Sequence, residues 1–139
     1  MYPEEIVKPF KLELTNSGFS ELTSSEDVKN ALSQSGTTLI VVNSVCGCAA
    51  RNARPGVIMS LSNDSTPDNL CTVFAGFDIE ATQTTLLLGS NLAELKSHKL
   101  QFGYSLYITK NLNESSKNYF ERVLNSVKLI VTYIIIYFH

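Results

Sequence analysis

The spacing of apolar residues predicts a helix at the start of the chain. Between residues 4 and 16 the apolar positions recur at helical intervals, at Ile6, Val7, Phe10 and Leu14. Gly18 follows as a stop signal. Pro9 lies inside the segment, so the helix is expected either to bend at Pro9 or to begin later than the pattern indicates.

The next segment predicts a short helix followed by a buried strand. Thr23 stands three residues before Glu26, which is the spacing of a capping box, and the helix that follows is expected to end at Gly36. Residues 37–42 (TTLIVV) then form a continuous β-branched run without alternation. Such a run is typical of a strand that is covered on both faces in a parallel or mixed sheet.

A further helix is predicted directly after this strand and a short connecting segment. From Cys48 onward, apolar residues recur every four positions, at Ala49, Ala53, Val57 and Leu61. Pro55 falls within this helix and is expected to bend it or to break its backbone hydrogen bonding locally.

A turn, a strand and another helix complete the regular pattern. Residues 66–69 (TPDN) predict a turn, and residues 70–75 (LCTVFA) predict a second buried strand ending at Gly76. Asp78 can cap a helix that continues to about Leu88 and closes at Gly89. Helices and strands in this alternating order indicate an α/β fold.

The pattern after Gly89 predicts a helix extended by Leu92 and Leu95 and three later elements. These are a strand over residues 102–109, a helix over 115–127 and an extended segment over 129–138. The last of these, within LIVTYIIIYFH, is about half of the roughly 20 residues needed to cross a bilayer. Its β-branched and aromatic content favours a buried final strand, the alternative being an exposed, aggregation-prone tail.

Composition limits the class of protein. The 139 residues are 44% hydrophobic and 17% charged, with a formal net charge of −2, as expected for one globular domain over residues 1–139. This balance argues against disorder and against electrostatic nucleic-acid binding. Three cysteines, an odd number, and an amino terminus without a basic segment followed by an apolar stretch favour a cytoplasmic protein with reduced thiols.

The candidate chemistry lies at Cys46 and Cys48, where the buried strand is followed by a helix. The amino end of a helix stabilises an anion, so a cysteine there is expected to ionise easily. Gly47 is expected to assist ring closure between the two sulfurs by adopting backbone angles that other residues avoid. Arg51 and Arg54 are expected either to add positive potential or to be ordinary solvent-facing residues. Cys46 is predicted to attack a disulfide and Cys48 to resolve the adduct.

Other interpretations of the cysteines remain open. The pair can be two small buried residues, or part of a metal site, although a tetrahedral zinc site needs four ligands. Cys71 lies on a predicted buried strand and is expected to serve packing, whereas His98 lies in a polar stretch and His139 at the chain end.

The residues around the cysteine pair resemble those of the bacilliredoxin family. TTLIVVNSVCGCAARNARPG, STPDN and VFAGFDIEAT carry the resemblance, and the opening MYPEEIVKPFKLELTNSGFSELTSSEDV is similar too. It covers residues 1–83, whereas residues 84–139 diverge and no proline follows Pro67. The resemblance implies a thioredoxin-like α/β fold with a central mixed sheet flanked by helices. The divergence suggests a frame shift near codon 83 or a replaced end, which sequencing the locus would test.

The resemblance also implies an activity and its participants. These are reduction of mixed disulfides between bacillithiol and protein cysteines, with Cys46 as nucleophile and Cys48 as resolving residue. Substrate binding is assigned to the adjoining residues Asn43, Ser44, Gly47 and Arg54. The expected partners are bacillithiolated client proteins and the small thiol itself, with no tightly bound cofactor, metal, nucleic acid or membrane. The alternatives are a general disulfide reductase or isomerase, and a family remnant that lacks activity.

Overall fold

The computed structural model describes residues 1–47, 49–64, 66–93, 100–102, 104–108 and 134–137, and these form an α/β fold. The α-helices are α1 (Glu4–Thr15), α2 (Ser25–Ser33), α3 (Arg54–Ser60) and α4 (Ile79–Ala93), and a π-helical segment (Ala49–Ala53) precedes α3. The strands are β1 (Ser20–Glu21), β2 (Thr38–Asn43), β3 (Asn69–Phe74), β4 (Leu100–Phe102), β5 (Tyr104–Ile108) and β6 (Ile134–Tyr137).

The strands join into a mixed sheet, which confirms the predicted α/β class. Within the described residues the order is β1-β3-β2-β6-β5-β4. β2 pairs in parallel with β3 on one side and antiparallel with β6 on the other. All six residues of β2 are buried, as the unbroken apolar run of residues 37–42 predicts. The last apolar run of the chain therefore contributes a strand to the sheet.

Helices cover both faces of the parallel part of the sheet. On one face α2 and α4 pack on alternate residues of β2 and β3, and this cluster contains Val28, Ala31, Ile40, Val42, Cys71, Val73 and Ala81. Because side chains alternate along a strand, Asn43 and Phe74 point to the opposite face. There the Lys11 ammonium of α1 lies 6.0 Å from the centre of the Phe74 ring. The face that carries Asn43 is thus the α1 face.

The first two helices confirm the predicted elements and correct their ends. α1 begins at Glu4 and runs through Pro9, so the later start that Pro9 suggested is wrong. The capping box of α2 is one residue further along than predicted. Ser24 accepts a hydrogen bond from the backbone N–H of Asp27, and the Asp27 carboxylate accepts one from the Ser24 N–H.

α4 begins directly after Asp78, as predicted, but ends later than predicted. Gly89 does not close the helix, which continues to Ala93 and includes Leu92. The Asp78 carboxylate accepts hydrogen bonds from the backbone N–H of Phe74 and from the Lys11 ammonium. It therefore ties α4 to β3 and α1.

The later predictions are met in part. β5 confirms the strand expected over residues 102–109, whereas β4, which pairs antiparallel with it, shares only Phe102 with that prediction. Leu95 and the helix expected over residues 115–127 lie outside the described residues. Among the helices that the structure describes, none combines the length and apolar character needed to cross a membrane.

The turn before β3 is fastened to the start of β2 by Asp68. Its carboxylate accepts hydrogen bonds from the backbone N–H and the hydroxyl of Thr37, at 2.7 and 2.8 Å. These bonds, the backbone one foremost, hold the pKa of Asp68 below the ordinary aspartate value of 3.8. Gly36 adopts φ +90°, and a Cβ there would stand 2.5 Å from the Asp68 carboxylate. Glycine at position 36 therefore meets both the backbone angle and the close approach.

This lowered pKa predicts a pH dependence of stability. The ionised carboxylate is favoured by the folded state, so its contribution is present above the unfolded pKa of about 4 and is lost as the pH falls through the folded value. Asp68→Asn should therefore reduce the free energy of unfolding more at pH 7 than at pH 3, as measured by urea denaturation. The exposed Asp64→Asn serves as a matched control. An equal loss at both pH values would contradict the prediction.

Candidate active site

The candidate site lies at the carboxyl edge of β2, where the strand gives way to a helical segment. Asn43 ends β2, and Ser44 to Gly47 connect it to the π-helical segment. The Cys46 carbonyl accepts a hydrogen bond from the Ala50 N–H, so the first helical bond begins at Cys46. The Cys46 side chain is exposed. The predicted location, at the amino end of a helix after a buried strand, is confirmed for this residue.

The helical region after the site is irregular, and Pro55 explains the position of the irregularity. Of the two expected effects of Pro55, a bend or a local break in the helix, the structure has the break: a wide π-helical segment ends at Ala53, and Pro55 lies in the first turn of α3. Proline has no N–H to donate to the carbonyl four residues earlier, whereas the first turn of a helix needs no such donor. The predicted apolar row is otherwise confirmed, since Ala49, Ala53 and Val57 are buried.

The Cys46 sulfur lies against two hydrogen-bond donors. The backbone N–H of Ala49 is 3.3 Å from Sγ, and the Ser44 hydroxyl oxygen is 3.2 Å from it. Donors of this kind favour the thiolate over the thiol once the cysteine is reduced. In this structure Cys46 is in a disulfide. Cys48, the predicted resolving residue, lies outside the described residues.

Gly47 is exposed and does not adopt the special backbone angles that the sequence suggested. Among the described residues the glycines with positive φ are Gly18, Gly36 and Gly76, so Gly47 does not use the left-handed region. Apart from its two chain neighbours, no described residue has an atom within 4 Å of the position that a Cβ at Gly47 would take. The absence of a side chain therefore leaves open space at this exposed position, one residue after Cys46.

Asn43 and Arg54 lie beneath the site. Each is only 1% exposed. The Asn43 amide donates to the Phe10 carbonyl, and its oxygen accepts from the Ser44 N–H and from the Arg54 guanidinium. The interpretation of Arg54 as a solvent-facing residue is therefore wrong, whereas Arg51 is exposed. Direct contact of Asn43 or Arg54 with a substrate stays a prediction, and in this structure both contact protein groups.

Sequence reasoning missed the residues of α1 that meet Arg54. The Glu13 carboxylate accepts hydrogen bonds from the Arg54 guanidinium at 2.6 Å and 3.3 Å. The centre of the Phe10 ring lies 4.8 Å from the central carbon of the same guanidinium. Arg54 is 41 positions from Glu13, so no local spacing could reveal the pair. The available signal was weaker: Arg54 adjoins the buried row at Ala53 and is three residues from Val57.

Cys71 has the surroundings expected of a packing residue. Its thiol is free and buried in β3, and burial raises its pKa, so it stays protonated and unreactive at neutral pH. Among the described residues, no group of three or more His, Cys, Asp or Glu side chains is placed to hold a metal. His98 and His139 lie outside that part of the chain.

The fold and the site together define an α/β protein with an oxidisable, exposed cysteine at the amino end of a helix. The chain belongs to the disulphide isomerase family, whose family model matches residues 2–90. The match includes α1, both central parallel strands and the whole Cys-Gly-Cys segment.

Curated relatives support the resemblance noted on the residues. Over 81 residues the chain is 57% identical to a bacilliredoxin of Cytophaga hutchinsonii, and this aligned stretch is 58% of this chain and 60% of the relative. It is 55% identical over 82 residues to a bacilliredoxin of Shouchella clausii, covering 58% and 57%. A bacilliredoxin of Staphylococcus aureus is 48% identical over 83 residues, covering 60% and 57%. The chain thus spans about three fifths of the length of these relatives.

Proposed function

We propose that this protein is a thiol–disulfide oxidoreductase that removes bacillithiol from protein cysteines through Cys46 and Cys48. The observation that carries the proposal is the setting of the Cys46 sulfur. It is exposed, oxidised to a disulfide, and within reach of a backbone N–H and a hydroxyl at a helix start. The family and the names of the relatives are consistent with such redox chemistry.

The proposed reaction has two exchange steps. The Cys46 thiolate attacks the bacillithiol sulfur of the mixed disulfide, and the bond between the two substrate sulfurs breaks. The client cysteine leaves as a thiolate and takes a proton from water, while a Cys46–bacillithiol disulfide forms. The Cys48 thiolate then attacks the Cys46 sulfur, which releases bacillithiol and leaves a Cys46–Cys48 disulfide. Two further equivalents of a small thiol would reduce this bond and regenerate both cysteines.

The nearby residues are given roles consistent with their places. Ser44 and the Ala49 N–H stabilise the thiolate, and the open space at Gly47 admits the client disulfide. Bacillithiol is an exchanging thiol here, and no tightly bound cofactor is needed. We further propose a thioredoxin-like arrangement of the sheet and helices, and a reducing, cytoplasmic setting in which a Cys-Gly-Cys disulfide would be repeatedly reduced.

A transfer assay tests the proposal. The reduced protein is mixed with a client carrying one bacillithiol-blocked cysteine, and intact-mass spectrometry follows both chains. Loss of the bacillithiol mass from the client, with oxidation or adduct formation on this protein, is the expected result. A client blocked with glutathione is the specificity control and should be released more slowly. A client that keeps its bacillithiol at the rate seen without protein would refute the activity and favour an inactive family remnant.

General disulfide isomerisation is the second candidate, and the description of the matching family favours it. It differs from the first in substrate, because it rearranges disulfides within a protein. A scrambled-disulfide substrate separates the two. Recovery of native disulfides at a rate comparable to bacillithiol release would favour isomerisation as the main activity.

A further inference from the structure

A buried guanidinium lies directly beneath the candidate site. Arg54 is among the largest fully buried side chains of the described residues. One terminal nitrogen, Nη1, donates to the Ser44 carbonyl at 2.9 Å and to the Asn43 amide oxygen at 3.0 Å. Nε and Nη2 donate to the two carboxylate oxygens of Glu13. The guanidinium therefore has one side toward residues 44–47, the site loop, and the other toward α1.

These contacts fix the residue that touches the Cys46 sulfur. The Ser44 carbonyl is held by Arg54, and the Ser44 N–H is held at 2.8 Å by Asn43. With its backbone held on both sides, Ser44 places its hydroxyl oxygen 3.2 Å from the Cys46 sulfur. The Cys46 N–H in turn donates to that hydroxyl oxygen at 3.4 Å.

The ion pair is also electrically asymmetric. Arg54 is 1% exposed, whereas the side chain of Glu13 is 42% exposed and is screened by water. Arg54 also contacts the site loop directly, whereas Glu13 contacts Arg54 from the side of α1. Three other cations stand on the neighbouring elements: Arg51 and Lys8 are exposed, and Lys11 is paired with Asp78 and Glu21. The Glu13–Arg54 pair is thus a dipole whose positive end contacts Ser44, the residue whose hydroxyl lies against the Cys46 sulfur.

Stability alone is a poor explanation for this arrangement. Taking a guanidinium out of water is costly, and a buried ion pair often contributes no more than an apolar substitute would. We propose that the Glu13–Arg54 pair is a positioning device, which holds Ser44 against the Cys46 sulfur and sets how readily that sulfur ionises. The inference deepens the proposed function, because it rests on Cys46 being the attacking group.

The test measures ionisation of Cys46 without any substrate. In the reduced Cys48→Ala background, the rate of Cys46 alkylation by iodoacetamide is followed against pH by peptide mass spectrometry, which separates Cys46 from Cys71. Arg54→Gln should raise the pKa of Cys46 by about one unit, because a buried positive charge is lost. Glu13→Gln should lower it by about half a unit, because the opposing charge is lost. Arg54→Lys should restore part of the Arg54→Gln shift.

Controls separate this device from a structural role. Glu5→Gln removes the same charge from the exposed first turn of α1 and should move the pKa by less than about 0.2 unit. Shifts of opposite sign in the two pair variants support the inference, because general loosening of the site would move both in one direction. Shifts of the same sign, or none beyond the Glu5→Gln value, would overturn it. Circular dichroism verifies folding.

Two features keep the result decisive. If Arg54→Gln does not fold, Glu13→Gln and Arg54→Lys test the inference in its place. A Glu13→Gln variant that fails to lower the pKa of Cys46 is sufficient to reject the inference. The titration is also independent of bacillithiol. Opposite shifts in a protein that does not release bacillithiol would reject the proposed activity alone, and full release with unmoved pKa values would reject the inference alone.

Discussion

Cys46→Ala should abolish release of bacillithiol from a blocked client, a loss of roughly a thousandfold or more. The reason is that the exchange begins with the Cys46 sulfur, which accepts hydrogen bonds from the Ala49 N–H and the Ser44 hydroxyl, whereas Cys71, the other described cysteine, is buried. Cys48→Ala should behave differently, because the first exchange step can proceed and the second cannot. That variant should accumulate one bacillithiol on Cys46, visible as a mass increase on the Cys46 peptide.

Cys71→Ala is the matched control for these two variants. Its thiol is buried and its pKa is raised by burial, so its removal should leave release of bacillithiol unchanged. An adduct that accumulates on Cys48 in the Cys46→Ala variant would show that the two roles are reversed. Retention of full activity by Cys46→Ala would place the chemistry elsewhere.

The frame of the site was predictable from local pattern. A β-branched run such as residues 37–42 has few alternatives to a buried strand, and a row of apolar residues every four positions after it indicates a helix. These two features alone place Cys46 at a strand-to-helix junction. The capping box shows the limit of such reasoning, because the segment TSSED offers Thr23 with Glu26 and Ser24 with Asp27 at the same spacing.

The support beneath the site was not predictable, because it depends on contacts that are distant in sequence. Nothing near Arg54 indicates that Glu13 will meet it. Lys11 is similar, although its position held a signal: it lies four residues after Val7 and three before Leu14, on the buried stripe of α1. Gly89 illustrates a third case. Glycine often follows the last residue of a helix, but the cost of one glycine inside a helix is small, so the residues on both sides of Gly89 can keep the helix continuous.

Lys11→Met should lower the free energy of unfolding by about 3 kcal/mol. The Lys11 ammonium lies 2.8 Å from an Asp78 carboxylate oxygen, and these side chains are 11% and 6% exposed. Removing the cation leaves the Asp78 carboxylate buried without its charged partner, and it also removes the cation from its place 4.7 Å from the centre of the Phe77 ring. Urea denaturation at pH 7 measures the loss.

A second substitution separates the charge from the packing. In Lys11→Met/Asp78→Asn the uncompensated charge is gone, while the amide oxygen can still accept the hydrogen bond from the Phe74 N–H. The double variant should therefore recover more than half of the lost stability. The exposed Lys8→Met on the same helix should cost less than about 0.5 kcal/mol. If Lys11→Met costs no more than Lys8→Met, the pair does not fasten α1 to the end of β3, and Glu13 must be held against Arg54 by the apolar residues of α1 alone.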